Sequence, residues 1–214
     1  MSSDYYSIKQ MAEVEFEERR SRFIGIAKPL TTSEQAEEFI SEQKKRFPDA
    51  THHVYAWIID RPQHLQRYSD DGEPQGTAGL PVLDALQKQN IVQAGVVVVR
   101  YYGGIKLGTG GLVRAYGKSA VMAIEKAVPI NWLTHRMYDL TCDYANAERV
   151  RFQLNQLSYP QTEPEYTADV SWQVAVRPKK EQEFITLLKD LTSDNIIYKR
   201  GKQKQFPSAI NNRT

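Results

Sequence analysis

The chain has 214 residues, of which 41% are hydrophobic and 25% are charged, and its formal net charge is +2 at pH 7. This composition is that of an ordinary globular protein with one large core or two small ones, and it excludes a disordered tail. The longest apolar run falls far short of the ~18 residues of a membrane span, and the N-terminus lacks a signal-peptide pattern. We therefore expect a cytoplasmic protein. Its single cysteine, Cys142, excludes an internal disulfide and is expected to pack inertly in a strand.

The first third of the chain contains five segments with regular patterns. They predict strands at 13–18 and 22–28, a helix from Thr31 to Pro48, and strands at 52–60 and 65–68. The first two strands should form a hairpin, and the last two should pair. A capping box is expected at the start of the helix, because three hydroxyl residues precede Glu34 and Gln35.

Residues 70–79, which we call the acidic loop, carry three acids, a proline and three glycines, and this composition excludes regular structure. The candidate functional residues of this loop are Asp70, Asp71, Glu73 and Thr77. Carboxylates in such a cluster suit Mg²⁺, whereas Asp-Asp-Gly is also common turn chemistry. A helix should follow the loop, since Pro81 suits a first helical turn.

A strand, a loop and a helix in residues 95–125 form the centre of the predicted fold. Val96–Val99 is an uninterrupted β-branched run, which predicts a central strand buried on both faces. Six of the chain's twelve glycines follow within fifteen residues, and we call residues 103–111 the glycine loop. From Leu112, apolar residues recur at helical spacing until Pro129, which predicts a helix that ends there.

The glycine loop has two interpretations. A strand–loop–helix unit directs backbone amides and the positive end of the helix dipole at the loop, which suits phosphate or carboxylate. Between Asp84 and Glu125 there are five basic residues and no acid, so the region is locally basic. In the other interpretation the glycines only form a turn and permit close helix packing. Neither the dinucleotide fingerprint nor the P-loop spacing is present, so neither nucleotide site is predicted.

The chain after Pro129 predicts a second domain. Its segments are strands at 137–143, 166–177 and 196–204, helices at 146–157 and 180–191, and a short edge strand at 160–163. This order, βαββαβ, is that of the ferredoxin-like split unit. Residues 199–214 carry five positive charges and no acid, and they either frame a polyanion or remain solvated. We predict an α+β protein with domains at 1–130 and 136–205 and a tail at 206–214.

Two motifs carry a resemblance to a known family. One is Arg100–Tyr116, RYYGGIKLGTGGLVRAY, and the other combines Asp70–Pro74, DDGEP, with Gly76–Gly79, GTAG. With these residues the chain resembles the IMPACT family, and in its length it resembles the bacterial YigZ-type members. The match covers about 20–127 with long and specific motifs, and the C-terminal part matches only in element order and size.

The resemblance implies an N-terminal α/β domain of the type found in a small-subunit ribosomal protein and in one domain of the ribosomal translocase. It implies a ferredoxin-like domain after it, and a link to translation. Eukaryotic members have an additional N-terminal domain used in regulating a stress kinase, and we do not expect that activity because only a short stretch precedes Val14. The resemblance supplies no catalytic residues.

The preferred hypothesis is a translation-linked regulatory protein that binds RNA or the ribosome through a basic, glycine-rich cleft. Basic side chains pair with phosphates, and tyrosine rings stack on unpaired bases. The candidate binding residues are Arg100, Tyr101, Tyr102, Gly103, Gly104, Lys106, Gly108, Thr109, Gly110, Gly111, Arg114 and Lys118. Tyr116 is expected in the core because it has helical spacing from Leu112, and the cations could alternatively only solvate the surface.

The alternative is a small enzyme that acts on a phosphorylated substrate, with Mg²⁺ held by Asp70, Asp71 and Glu73 and no assigned nucleophile. His52 and His53 point to opposite faces of one strand, so no zinc site is predicted, and no cofactor is expected under the preferred hypothesis. No membrane and no sequence-specific DNA partner is indicated, and the oligomeric state is left open. Because their compositions are complementary, we expect the acidic loop and the glycine loop to line one cleft.

Overall fold

The computed structural model describes residues 4–209 and shows an α+β protein with two domains. One compact unit is Tyr5–Asn131, and the other contains Trp132–Ser208 together with Asp4. The division therefore falls inside a strand, Pro129–Cys142. Within the described residues, no helix is long and apolar enough to cross a membrane.

The elements of the first unit follow the predicted order. They are β1 (Tyr5–Ile8), β2 (Ala12–Glu18), β3 (Ser21–Pro29), α1 (Ser33–Arg46), β4 (His52–Ile59), β5 (Leu65–Ser69), α2 (Gly79–Lys88), β6 (Ala94–Tyr101) and α3 (Thr109–Lys126). The strands and helices predicted for this region are confirmed, and β1 has no counterpart among the predictions. The helix α3 begins three residues earlier than expected, so Gly110 and Gly111 belong to its first turn.

The strand β6 is the central strand of an antiparallel sheet with the order β2-β3-β6-β4-β5. Val96 and Val98 pack in a core with α2 and α3, whereas Val97 and Val99 pack in a second core with α1 on the opposite face. The prediction of a strand buried on both faces is therefore confirmed. This position fixes the point at which the glycine loop leaves the sheet.

Two local features of this unit follow directly from its sequence. Arg19 and Arg20 join β2 to β3 with φ values of 46° and 66°, as in a two-residue hairpin turn. At the start of α1, the Thr32 side chain accepts a hydrogen bond from the Gln35 N–H. The Gln35 side chain accepts the Thr31 N–H, so the expected capping box is present with its reciprocal bond shifted by one residue.

The second unit has the predicted βαββαβ order. Its elements are β7 (Pro129–Cys142), α4 (Tyr144–Gln156), β8 (Glu165–Tyr166), β9 (Val170–Val176), α5 (Glu181–Thr192) and β10 (Ile197–Ala209). The sheet runs β1-β7-β9-β8, and β10 also pairs with β7. Tyr138, Leu154, Trp172 and Phe184 lie in one core between the sheet and its helices.

Several boundaries in this unit differ from the predictions. The strand β7 begins at Pro129 rather than at 137, and β10 continues to Ala209 rather than ending at 204. The short edge strand lies at Glu165–Tyr166 instead of 160–163, where Gln161 forms an isolated bridge. Of the predicted tail, residues 206–209 belong to β10 and residues 210–214 lie outside the described part of the chain.

Cys142 lies in β7, as expected, and is 6% exposed. Burial raises the pKa of its thiol to about 11, and the nearby carboxylates of Asp143 and Asp169 add to this shift. The thiol therefore stays protonated at neutral pH. Since the thiolate is the reactive form, inert packing describes this residue better than nucleophilic chemistry does.

Candidate functional site

The acidic loop and the glycine loop meet in the first unit at a cavity of about 450 Å³, which we call the cleft. The lining residues are Thr51, His52, Glu73, Pro74, Arg100, Tyr102, Lys106, Leu107, Gly108, Thr109 and Leu112. Glu73 and Pro74 come from the acidic loop, and residues 106–109 come from the glycine loop and the first residue of α3. The expectation that both loops line one cleft is therefore confirmed.

A buried ion pair forms the floor of the cleft. The side chains of Glu73 and Arg100 are 4% and 5% exposed, and Arg100 Nη1 donates a hydrogen bond to Glu73 Oε1. The Tyr116 hydroxyl of α3 donates to the same oxygen at 2.7 Å. Burial and this hydrogen bond raise the pKa of Tyr116 well above its ordinary value, so the hydroxyl remains a donor. Tyr116 is thus a core residue, as expected, and Arg100 neutralises Glu73 instead of standing as a free surface cation.

The same arginine joins the floor to the β2–β3 hairpin. Its Nη2 donates to Ser21 Oγ at 3.2 Å, and this oxygen also accepts the Gly103 N–H at 3.2 Å. A Cβ atom on Gly103 would lie 1.9 Å from the Arg20 carbonyl oxygen, so the close approach requires glycine. The glycine loop is therefore held against the hairpin before any ligand binds.

The other two carboxylates of the acidic loop stabilise the loop itself. Asp70 accepts three backbone N–H groups from residues 76–79, at 2.8, 2.9 and 3.0 Å. Asp71 accepts the His53 N–H at 2.6 Å and forms an ion pair with Lys44 at 3.4 Å. These are the contacts of a structured turn, so Asp-Asp-Gly acts here through the turn chemistry that the sequence analysis weighed.

The three acids do not converge on a cation. Asp70, Asp71 and Glu73 each have separate partners, and within 4–209 no group of three or more His, Cys, Asp or Glu side chains is arranged to hold a metal ion. Thr77 is buried, and its hydroxyl donates to the Pro74 carbonyl at 2.6 Å. The arrangement of these residues therefore does not fit the magnesium site expected under the alternative hypothesis.

His52 is a cleft residue that the sequence analysis did not place there. Its Nδ1 lies 2.8 Å from the Asp71 carbonyl oxygen, and because a carbonyl only accepts, Nδ1 carries the proton. Its Nε2 then faces Glu73 Oε1 at 3.7 Å. His52 lies at the cleft because it pairs with Arg100 across β4 and β6. This pairing could have identified His52 as a site residue, but it cannot be predicted until the order of the strands in the sheet is known.

The rim of the cleft offers an aromatic ring and a free cation. The Tyr102 side chain is 46% exposed, and the Arg100 guanidinium lies 5.4 Å from its ring centroid on the protein side. Lys106 is exposed, and within residues 4–209 no carboxylate oxygen lies within 4.0 Å of its amine. Both candidate binding residues therefore lie at the cleft, and their binding roles stay predictions.

The N-terminus of α3 also lies at the rim. Gly108 is its N-cap residue, with a φ of 73° that favours glycine, and no side chain caps the helix. The first N–H groups of α3, beginning at Thr109, therefore have no helical partner and no side-chain acceptor. Gly104, at φ 82°, forms the turn that brings the chain from β6 to this point.

The remaining predicted cations line a second cavity of about 230 Å³, which we call the basic groove. It is lined by Phe16, Glu18, Arg19, Leu107, Gly111, Arg114, Ala115 and Lys118. Leu107 lines the cleft as well, so the two cavities adjoin. Arg19 and Phe16 were not predicted, because they lie on the hairpin, far in sequence from the glycine motif.

Tyr101 is the candidate binding residue that the fold places elsewhere. It packs against the core on the α1 side of the sheet, and the Arg22 guanidinium lies 5.5 Å from its ring centroid. Alternation along β6 explains this, because Arg100 and Tyr102 point to one face and Tyr101 to the other. We therefore leave Tyr101 out of the cleft.

Both parts of the chain match known protein domains, and the whole chain is similar to bacterial proteins of one family. Residues 19–124 match the model of the Impact N-terminal domain, and 140–195 match a domain of unknown function, DUF1949. IMPACT family member YvyE of Bacillus subtilis is 34% identical over 99% of this chain and 97% of its own length. IMPACT family member YigZ of Escherichia coli is 36% identical over 83% of this chain and 88% of its own length.

Solved structures give the same grouping for the fold. The crystal structure of a hypothetical protein that is 33% identical covers 94% of this chain and 98% of its own, with a TM-score of 0.60. The two-domain translational regulator Yih1 is 24% identical over 57% of this chain and 46% of its own, with a TM-score of 0.37. The second likeness is too low to argue from.

Proposed function

Because this chain belongs to the IMPACT family, we propose that it is a translation-linked regulatory protein that binds single-stranded RNA, as on the ribosome, through the cleft. The family motifs imply a link to translation, as stated above for the resemblance, and this link supports a ribosomal RNA partner. The observation that carries the proposal is the pairing of an exposed ring, Tyr102, with the free amine of Lys106 across a floor that is already built.

The rim suits an unpaired nucleotide for two reasons. An exposed tyrosine ring on a rigid strand end stacks on any base, and such stacking contributes about 1–3 kcal/mol per base. Lys106 and the N-terminal amides of α3 favour a phosphate, because both present positive charge to the same opening. A duplex would not fit this role, since its bases are not available for stacking.

The floor supports binding by keeping the rim in place. Glu73, Arg100 and Tyr116 connect the acidic loop, β6 and α3 through hydrogen bonds between buried side chains. The loops are therefore already ordered before a ligand binds, so binding costs little conformational entropy and the affinity is higher. The buried carboxylate of Glu73 is neutralised by Arg100, so it does not repel a phosphate at the rim.

Fluorescence anisotropy with a labelled, mixed-sequence single-stranded RNA of ~12 nucleotides tests the proposal. This length is within the range of site sizes known for domains that bind single-stranded nucleic acid. We expect Tyr102→Leu to weaken binding by about tenfold, equivalent to ~1.4 kcal/mol of lost stacking. Lys106→Gln should weaken binding and reduce the salt slope by about 0.7, the value of one phosphate contact on a single strand.

A matched control is available on the same sheet. Tyr68 on β5 is 45% exposed, close to the 46% of Tyr102, and it does not line the cleft. Tyr68→Leu should leave RNA affinity unchanged. If wild-type protein does not bind the RNA at 0.1 M salt, or if Tyr68→Leu and Tyr102→Leu lose affinity equally, the cleft is not an RNA site.

A further inference from the structure

The basic groove carries positive charge that the protein does not neutralise. Arg19, Arg114 and Lys118 are exposed, and in the described part of the chain none of them forms an ion pair with a carboxylate. Glu18 is the one acid that lines the groove, so three cations face one carboxylate and leave two net positive charges. Bringing like charges together is unfavourable, and an anion in the groove would relieve this repulsion.

The groove has no ring available for a base. Phe16 is the aromatic residue in its lining, and Phe23 stacks on it in parallel with centroids 5.3 Å apart. The Lys118 ammonium lies over the same ring, 4.4 Å from its centroid. This cation–π contact holds the amine at the groove, and the ring is already occupied. The groove thus differs from the cleft, where Tyr102 is exposed.

A glycine-rich segment, residues 108–111, separates the two cavities. Gly108 lines the cleft and Gly111 lines the basic groove, with Gly110 between them in the first turn of α3. The Arg19 guanidinium reaches across to the Lys106 carbonyl oxygen at 3.5 Å. A ligand chain that leaves the cleft can therefore pass over this glycine backbone into the groove, where it meets arginine, since Arg114 Nη1 lies 3.6 Å from the Cβ position of Gly110.

We propose that the basic groove is a phosphate site that holds the sugar–phosphate backbone next to the nucleotide whose base enters the cleft. This inference rests on the proposed function, because it assigns a second part of the same RNA strand. Arginine presents a planar fork that pairs with two phosphate oxygens. Within residues 4–209 neither Arg19 nor Arg114 pairs with a carboxylate, and Arg19 uses only Nη1, at 3.5 Å, for the Lys106 carbonyl. The cleft selects for an unpaired base, whereas the groove contributes affinity without base preference.

The test is the salt dependence of RNA binding by full-length protein, using the labelled single-stranded RNA described above. The variant carries Arg114→Gln and Lys118→Gln together, and it should reduce the salt slope by about 1.4, which is two phosphate contacts of ~0.7 each. Tyr102→Leu should instead lower affinity and leave the slope unchanged, because it removes a ring and no charge.

Two control variants separate the groove from general charge effects. Lys88→Gln removes one positive charge on α2, where Lys88 pairs with Asp84 at 3.9 Å, and it should leave the slope unchanged. Glu18→Gln removes the acid of the groove, so it should strengthen binding. Lys118→Met keeps the aliphatic stem over Phe16 and removes the charge, so it replaces Lys118→Gln if the double variant is unfolded by circular dichroism.

The outcomes distinguish the two proposals. If wild-type protein binds the RNA and Tyr102→Leu weakens it, but the double variant keeps the wild-type slope, the groove is not a phosphate site and the cleft stands. If wild-type protein does not bind the RNA, both proposals are overturned. If polyglutamate displaces the RNA at lower concentration than an unlabelled copy of the RNA does, the groove binds acidic protein segments and the inference is wrong.

Discussion

Glu73 shows how a single residue determines the site. Its carboxylate is 4% exposed and its charge is balanced by Arg100, which is 5% exposed. Removing one partner of a buried ion pair destabilises a protein by much more than the intact pair stabilises it, because the remaining charge stays buried without a partner. The carboxylate is therefore required by Arg100 and Tyr116, and this requirement explains why an acid occupies the floor of a site that we propose for an anion.

This argument gives a prediction for Glu73→Gln. The variant leaves the Arg100 guanidinium buried without a counter-ion, so we expect the free energy of unfolding of the first unit to fall by about 3–5 kcal/mol. Urea denaturation at pH 7 measures this change. Asp84→Asn is the control, because that carboxylate pairs with Lys88 at the surface and its loss should cost less than ~0.5 kcal/mol. Equal stability of Glu73→Gln and wild type would mean that the ion pair does not hold the floor.

At the scale of elements, the first turn of α3 contains a glycine, Gly110, that packing does not require. The nearest atom to a Cβ on Gly110 would be Arg114 Nη1 at 3.6 Å, which is an ordinary contact. Gly117, in the same helix, would place its Cβ 4.0 Å from Pro81. Both positions have room for alanine, so a reason other than packing is needed for glycine at position 110.

We predict that Gly110→Ala and Gly117→Ala each stabilise the protein by about 0.5–1 kcal/mol, because alanine has the higher helix propensity and reduces the entropy of the unfolded chain. Only Gly110→Ala should weaken RNA binding, since its methyl group would stand between the cleft and the basic groove. Thermal denaturation and RNA anisotropy on both variants measure these effects. Unchanged affinity of a stabilised Gly110→Ala variant would show that the RNA does not pass over this turn.

The strands and helices of the first unit could be predicted because the apolar residues of each segment lie on one face or on both faces in a regular pattern. The run Val96–Val99 and the helical spacing from Leu112 are local patterns, and local patterns are what a single sequence contains. The start of α3 was missed because Gly110 and Gly111 have low helix propensity, although both belong to the helix. The early start of β7 was missed because Pro129 was interpreted only as the end of a helix.

The site was less predictable than the fold. The sequence predicted that the two loops meet, and it named Lys106 and Tyr102 among the candidate binding residues, which the structure places at the cleft. It could not show that Arg100 is buried, because its partner Glu73 lies 27 residues away and the pairing depends on the sheet order. Arg19 was missed for the same reason, since nothing in the hairpin sequence indicates a neighbour at Arg114.

At the scale of the whole molecule, the two units have separate apolar cores. The second unit is also stabilised by contacts between residues that are far apart in the sequence. Asp4 accepts a bidentate hydrogen bond from Arg177, at 2.6 and 3.1 Å, across a separation of 173 residues. The Thr134 N–H donates to the same carboxylate at 2.7 Å. Asp4, which stands before the first unit in the sequence, thus stabilises the second unit.

The contact between Asp4 and Arg177 depends on pH. The Arg177 guanidinium, helped by the Thr134 amide and opposed by burial, lowers the pKa of Asp4 from 3.8 to about 2. Because the folded pKa lies below the unfolded one, the stabilisation is fully present above about pH 4 and is lost as the pH falls towards 2. The shift corresponds to about 2 kcal/mol, and the Asp4 side chain is 25% exposed, so screening by solvent reduces it only in part.

Asp4→Asn should therefore destabilise the second unit by at most about 2 kcal/mol at pH 7. The difference should decrease below pH 4 and vanish only below the folded pKa of about 2. Urea denaturation can be followed separately in each unit, because Trp57 is buried in the first and Trp172 in the second. In single-tryptophan proteins, with phenylalanine at the other two tryptophan positions, the transition reported by Trp172 should shift and the one reported by Trp57 should not. Equal shifts of both transitions would mean that the two units unfold as one, and a pH-independent shift would mean that the ion pair is not its cause.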